Sequence, residues 1–224
     1  MVLCLGVVLC GSKAGWACLP LVLLVVLASR WGELSTRRTI LSLIAGSFLG
    51  IAALTLASVN VRQRVDEAWH ALASPTDHAD ATTSSEERKL IWDGAIDVVK
   101  RDLPFGTGTG DVKDELVAAY TRKGYARLVQ LRLNAHDQYL QTMATLGWPG
   151  IRLLAGMLAV SLYVFMRSRD VLATIFILLN AINWLVESML EVQAGVVFFA
   201  FVLFALAIRG KRSLRPEPLP SLES

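Results

Sequence analysis

The chain has 224 residues, of which 54% are hydrophobic and 18% charged, where a soluble domain carries about 25% charged residues. Its mean hydropathy is +0.50, and 22 Lys and Arg against 19 Asp and Glu leave a formal charge of +3. The apolar bias excludes a soluble globular domain, and the mild charge excludes a nucleic-acid surface.

The apolar residues are clustered: residues 39–59 carry no charge, and residues 171–208 carry only Glu187 and Glu191. A bilayer is crossed by about 20 apolar residues in a helix. In chain order the sequence predicts a partial span at 1–11, then spans at 14–29, 39–59, 150–166, 171–189 and 192–208. A cleaved signal peptide is the weaker reading of the start, because a basic n-region is missing and Lys13 interrupts the apolar run. Cys4, Cys10 and Cys18 have no metal-ligand spacing and read as small buried hydrophobes. With these spans, Arg30, Arg37 and Arg38, then Arg167 and Arg169, then Arg209, Lys211, Arg212 and Arg215 all fall on one side. The positive-inside rule makes that side cytoplasmic.

The expected organisation is transmembrane helices at 1–59, an outer loop at 60–148, three transmembrane helices at 149–208 and a cytoplasmic tail at 209–224. The fold class is all-α, a polytopic membrane helix bundle with a large helical loop between two spans. A loop this long is more than a connection. After a polar stretch, Ser84-Ser-Glu-Glu87 forms a capping-box pattern. It opens a helix to about Asp102 with Ile91, Ala95, Val98 and Val99 on one face. Pro104 stops it, and residues 105–111, Phe-Gly-Thr-Gly-Thr-Gly-Asp, read as a flexible turn. A second helix is predicted over 112–133. A third starts at Asn134, whose side chain can cap the N–H of His136 or Asp137, and Gly147-Trp-Pro-Gly150 then turns the chain into the membrane.

His136 is the sharpest candidate for chemistry. In the first turn of a helix the terminus disfavours a charged imidazolium and favours the base-competent neutral form, while Asp137 pulls the other way. On its own it also reads as an ordinary interfacial histidine. Arg88, in the first turn of the amphipathic helix, is favourable there only if it faces an anion, and its fork suits phosphate. A solvated Arg88 paired with Glu87 or Asp93 is the plainer reading. Lys13 either snorkels to the interface or lines a polar cavity. Glu187 and Glu191 are predicted at i and i+4 on one helix face, where a structural pairing with Arg152 or Lys13 competes with a catalytic role. The glycines of 106–110 match neither a dinucleotide fingerprint nor a P-loop; a tight turn is favoured, with backbone N–H groups able to approach a phosphate. His70 and His78 read as solvent-exposed, and the chain has no HExxH, CxxC or clustered-aspartate metal pattern.

Taken together, Ser12-Lys-Ala-Gly-Trp16, Glu87-Arg-Lys-Leu-Ile-Trp92, Pro104-Phe-Gly-Thr-Gly-Thr-Gly-Asp111, Asn134-Ala-His-Asp-Gln-Tyr-Leu-Gln141, Leu146-Gly-Trp-Pro-Gly150 and Glu187-Ser-Met-Leu-Glu191 resemble the O-antigen ligase and polymerase family of bacterial envelopes. The resemblance implies a metal-independent, cofactor-free glycosyltransferase of the inner membrane whose large loop is periplasmic. Its donor would be a glycan on undecaprenyl diphosphate; a ligase passes that glycan to lipid A-core, and a polymerase to another repeat unit. By the same resemblance His136 and Arg88 are the catalytic residues, Arg88 and Lys13 bind the diphosphate, and Asn134, Asp137, Glu187 and Glu191 support the site. Lys13 stands where many members have arginine, and Asp137 where they have asparagine. With five spans and a partial one, the chain reads as the C-terminal part of the family fold. A transport subunit with Lys13, Glu187 and Glu191 along a pathway, or a non-catalytic binding module, is the alternative from another class. Convergence of Arg88, His136 and Lys13 on one outer-face site would favour the transferase.

Overall fold

The computed structural model describes residues 84–213, together with scattered helical positions between 22 and 49. The spans expected within 1–59, Lys13, the three cysteines, and His70 and His78 therefore lie outside the described residues or among positions too scattered to form an element. Among the described residues the chain is all-helical, without strands. The helices are α1 (Ser84–Asp102), α2 (Val112–Arg122), α3 (Ala126–Leu131), α4 (Gln138–Arg167), α5 (Val171–Asn183), a 3-10 turn (Met189–Glu191) and α6 (Gln193–Ser213).

Helix α1 follows its sequence pattern. Glu86 and Glu87 lie in its first turn and Lys100 and Arg101 in its last, each complementing the helix dipole. Leu90, Ile91, Ala95 and Val98 are buried against Val112, Leu116, Ala119 and Tyr120 of α2, with Leu128 of α3 and Ala144 of α4 closing the same core. The helix expected over 112–133 is broken in two. The Tyr125 N–H donates to the Tyr120 carbonyl and the Gly124 N–H to that of Thr121. This is a Schellman cap whose left-handed position, φ +74°, is filled by Gly124.

The turn after Pro104 is not flexible. Thr107 N–H donates to the Ala144 carbonyl at 2.9 Å, Gly108 N–H to that of Thr145 at 2.8 Å, and Trp148 N–H returns to the Pro104 carbonyl at 2.8 Å. The physical reason lies in α4, which is kinked at Gly147 (φ 60°, ψ −147°) and contains Pro149. In a regular helix Thr145 would accept from residue 149, which as proline has no N–H, and Ala144 would accept from Trp148. The 104–108 turn supplies the missing partners: Gly106 permits close approach, since a Cβ there would overlap the Thr145 carbonyl, and Gly108 supplies a left-handed φ of 92°.

Helix α4 begins at Gln138, four residues later than expected, with Asp137 as its N-cap accepting from Leu140 N–H at 2.8 Å. By length and composition it is the one described helix able to cross a membrane; α5 and residues Gln193–Arg209 are apolar but shorter. Beyond the kink, residues 148–167 rise about 30 Å at about 1.5 Å per residue, the thickness of a hydrocarbon core. Helices α4, α5 and α6 share a second core of Leu154, Phe165, Ala173, Ile177, Trp184, Phe199 and Leu206. The span expected over 171–189 stops as a helix at Asn183. The Trp184 carbonyl just beyond accepts from Gln138 N–H at 2.7 Å, which ties the chain to α4.

Candidate functional site

Three segments meet where the two cores adjoin: the first turn of α1, the 134–137 loop that leads into α4, and the connection between α5 and α6. Arg88 projects from the first of these and gives its Nη2 to Glu187 Oε1 at 3.2 Å. His136 stands on the second, with Nδ1 3.5 Å from Glu187 Oε2. One carboxylate in the α5–α6 connection therefore faces both the cation and the imidazole.

The local backbone explains how His136 gets there. It lies ahead of the Asp137 N-cap rather than in the first helical turn, in the left-handed region at φ 45°. Asn134 Oδ1 accepts its N–H at 3.2 Å, as expected of Asn134, although this holds the loop and not a helix start. The helix terminus thus acts on Asp137, whose side chain caps α4. Burial pushes the Asp137 carboxyl up, against backbone hydrogen bonds from Leu140 and Tyr139 that lower it.

Each member of the cluster is partly exposed. Arg88 is 31% exposed, His136 32% and Glu187 47%. Ion pairs this open contribute about 0–1 kcal/mol each, too little to make the cluster a structural strut, and all three groups are open to a ligand. The simpler pairings expected from the sequence are replaced. Glu87 pairs with Arg127 at 2.9 Å, and Asp93 with Lys123 and the Tyr125 hydroxyl, each at 2.8 Å. Burial raises the Asp93 carboxyl, but the hydrogen bonds from Lys123 and Tyr125 outweigh it and leave it lowered. Arg152 does not reach Glu187; its guanidinium stands 5.9 Å from the centre of the Trp148 ring.

Glu191 does not share a helix face with Glu187. It sits in the 3-10 turn, where burial raises its carboxyl and the Gln141 amide lowers it in part. The N–H groups of Thr107 and Gly108 are taken by helix α4 and so are not offered to a phosphate. Among the described residues no three His, Cys, Asp or Glu side chains come together as a metal site would require. Sequence reasoning missed Gln138 and Gln141. Their signal was present, since both are amides in a predicted helix immediately after His136, at positions that the packing of that helix buries.

A family model described as O-antigen ligase matches residues 1–155. The chain belongs to the O-antigen ligase family. Members are integral membrane proteins, and the matched region of this O-antigen ligase family chain includes Lys13, Arg88, Asn134, His136 and Asp137, with Glu187 and Glu191 beyond it. A protein of Haemophilus influenzae described as uncharacterized is 24% identical over 203 residues, covering 85% of this chain and 50% of that protein. The chain thus spans about half the length of this curated relative. No solved structure matches the chain.

Proposed function

We propose that this chain carries the transfer site of a lipid-linked glycan transferase, acting as an O-antigen ligase that moves a glycan from undecaprenyl diphosphate to an envelope acceptor such as lipid A-core. The supporting observation is that Arg88 and His136, 48 positions apart in sequence, both face Glu187 at 3.2 and 3.5 Å. In this reading the protein is a multi-pass protein of the inner membrane. The 60–148 loop is periplasmic, and the site lies at the outer membrane edge where a lipid-linked donor is within reach.

The reaction needs an acceptor hydroxyl to attack the anomeric carbon while the bond from that carbon to the diphosphate oxygen breaks. The bonding pair leaves with undecaprenyl diphosphate, and the hydroxyl proton must be taken up. Glu187 faces Nδ1 of His136 at 3.5 Å, which leaves Nε2 as the acceptor of that proton. Arg88 spends one of its five donors on Glu187, and the rest of its fork, with Lys13, neutralises charge on the departing diphosphate. Glu187 thereby sets the orientation of both partners.

Transfer from a radiolabelled undecaprenyl diphosphate-linked glycan, measured in membranes carrying the protein with EDTA present, tests this. Loss of a general base reduces rate by about 100- to 10,000-fold, so His136→Ala at wild-type abundance is expected to fall by that factor. An undiminished rate in His136→Ala contradicts the reading.

A further inference from the structure

Two glutamines occupy the first turn of α4 at i and i+3, on the face that packs inward. Gln138 is 2% exposed and Gln141 1%. A buried amide left without partners costs about 1–3 kcal/mol, so side chains of this kind persist where other groups engage them. Gln141 Oε1 accepts the Ala135 N–H at 2.9 Å, and the same side chain partly offsets the upward push of burial on the Glu191 carboxyl. Gln138 Oε1 accepts the Leu190 N–H at 2.7 Å, and its Nε2 donates to Thr142 Oγ1 at 3.1 Å. The backbone N–H of Gln138 donates to the Trp184 carbonyl at 2.7 Å.

The partners of these two residues bracket the site without belonging to it. Ala135 immediately precedes His136, while Trp184 and Leu190 flank Glu187 on either side. One helical turn therefore holds both segments that carry the facing side chains. Two leucines would pack α4 against the α5–α6 connection equally well through dispersion and burial. What the amides add is register, because hydrogen bonds are directional and apolar contacts are not.

We infer that Gln138 and Gln141 are positioning residues for the transfer, latching the His136 loop and the Glu187 segment to one turn of α4 so that the imidazole meets the carboxylate. The inference rests on the transferase reading above. A misplacement of about 1 Å of a reacting group by a change away from the chemistry costs up to about 100-fold. Gln141→Leu and Gln138→Leu are expected to lose kcat by up to that factor, with KM for the lipid-linked donor changed less than about threefold.

A second readout needs no activity. In protein labelled with nitrogen-15 histidine and held in lipid nanodiscs, the His136 ring, assigned by its disappearance in His136→Ala, is expected to show one tautomer, with the proton on Nδ1. In Gln141→Leu the same ring is expected to show a mixture of tautomers. Gln141→Met, unbranched and of similar length, is measured alongside so that a folding defect in one variant does not decide the outcome. Wild-type kcat in the folded variants overturns the inference, and so does reduced kcat with the single tautomer retained. Normal transfer by His136→Ala would instead refute the transferase reading, and the nitrogen spectra would still report whether the latch orients the ring.

Discussion

Helices α1–α3 and helices α4–α6 bury similar side chains but surround them differently. In the first group Ile91, Leu116 and Tyr120 are almost fully enclosed, and the outside carries ion pairs such as Arg101–Glu115, Lys123–Asp97 and Arg132–Asp114. In the second group Ile177 and Trp184 are enclosed, yet Leu153 is 75% exposed, Phe201 71% and Tyr163 69%. The first surface suits water, and the second, in the membrane reading proposed above, suits lipid. Against lipid the hydrophobic effect between helices is lost, so close packing has to hold them. The rings of Trp184 and Phe199 at 5.0 Å and of Phe176 and Phe199 at 5.6 Å supply it. In the proposed reading Arg88, His136 and Glu187 lie on the border between the two environments, where the glycan end of an envelope acceptor and that of a lipid-linked donor can meet.

The comparison is broken most severely at the kink that joins its two sides. A Cβ on Gly147 would overlap the Pro104 carbonyl, and the backbone there is in a region that side chains rarely adopt. Such strain costs about 1–3 kcal/mol before the overlap is counted, so Gly147→Ala is expected to yield little folded protein in detergent extracts. Gly156→Ala, nine positions along the same helix and with nothing within 4 Å of the new methyl, is expected to be neutral or to stabilise by up to about 1 kcal/mol. Comparable melting temperatures for the two variants would remove the clamp from the account.

A smaller effect separates the two surfaces. Leu116→Ala empties a fully enclosed position and is expected to cost about 2–5 kcal/mol in thermal or denaturant unfolding. Leu153→Ala, on the exposed side of α4, is expected to change stability by less than about 0.5 kcal/mol in lipid.

The smallest effect depends on pH. Burial raises the Asp137 carboxyl, so its neutral form is the one the folded state favours. The stability linked to this group is fully present below the ordinary aspartate value of 3.8 and is lost as pH rises through the raised folded value. Asp137→Asn keeps a good N-cap without the buried charge. It is expected to melt higher than wild type at pH 7, with the difference disappearing below that acid limit. A lower melting temperature for Asp137→Asn at pH 7 would show that the charged cap stabilises α4.

Much of this was legible in the residue pattern, within physical limits. The apolar period of Ile91, Ala95, Val98 and Val99 located α1 and its buried face, because one amphipathic helix is a local property. The same kind of period runs from Val112 through Tyr120 to Leu128 and hid the break at Gly124, where a single backbone conformation overrides a continuous apolar stripe. Hydropathy carried the span past Asn183 for a related reason. Trp184, Leu185 and Val186 are apolar, and composition does not register a carbonyl drawn to Gln138. The glycines of 106–110 read locally as freedom, yet Gly106 is a contact, since its neighbours Ala144 and Thr145 are in α4. Arg88 and His136 were recognisable one at a time. Their meeting at Glu187 depends on the packing of three distant segments, which no local pattern encodes.

A double-mutant cycle on transfer rate between His136 and Glu187 tests that meeting most directly, using His136→Ala, Glu187→Gln and the double variant. If Glu187 acts through the imidazole, removing the carboxylate in a protein that already lacks His136 loses only its exposed pair with Arg88, worth about 0–1 kcal/mol. The loss in the double variant is therefore expected to fall well short of the product of the two single losses. Losses that multiply would contradict it, because His136 and Glu187 would then contribute independently and their 3.5 Å approach would have no part in the reaction.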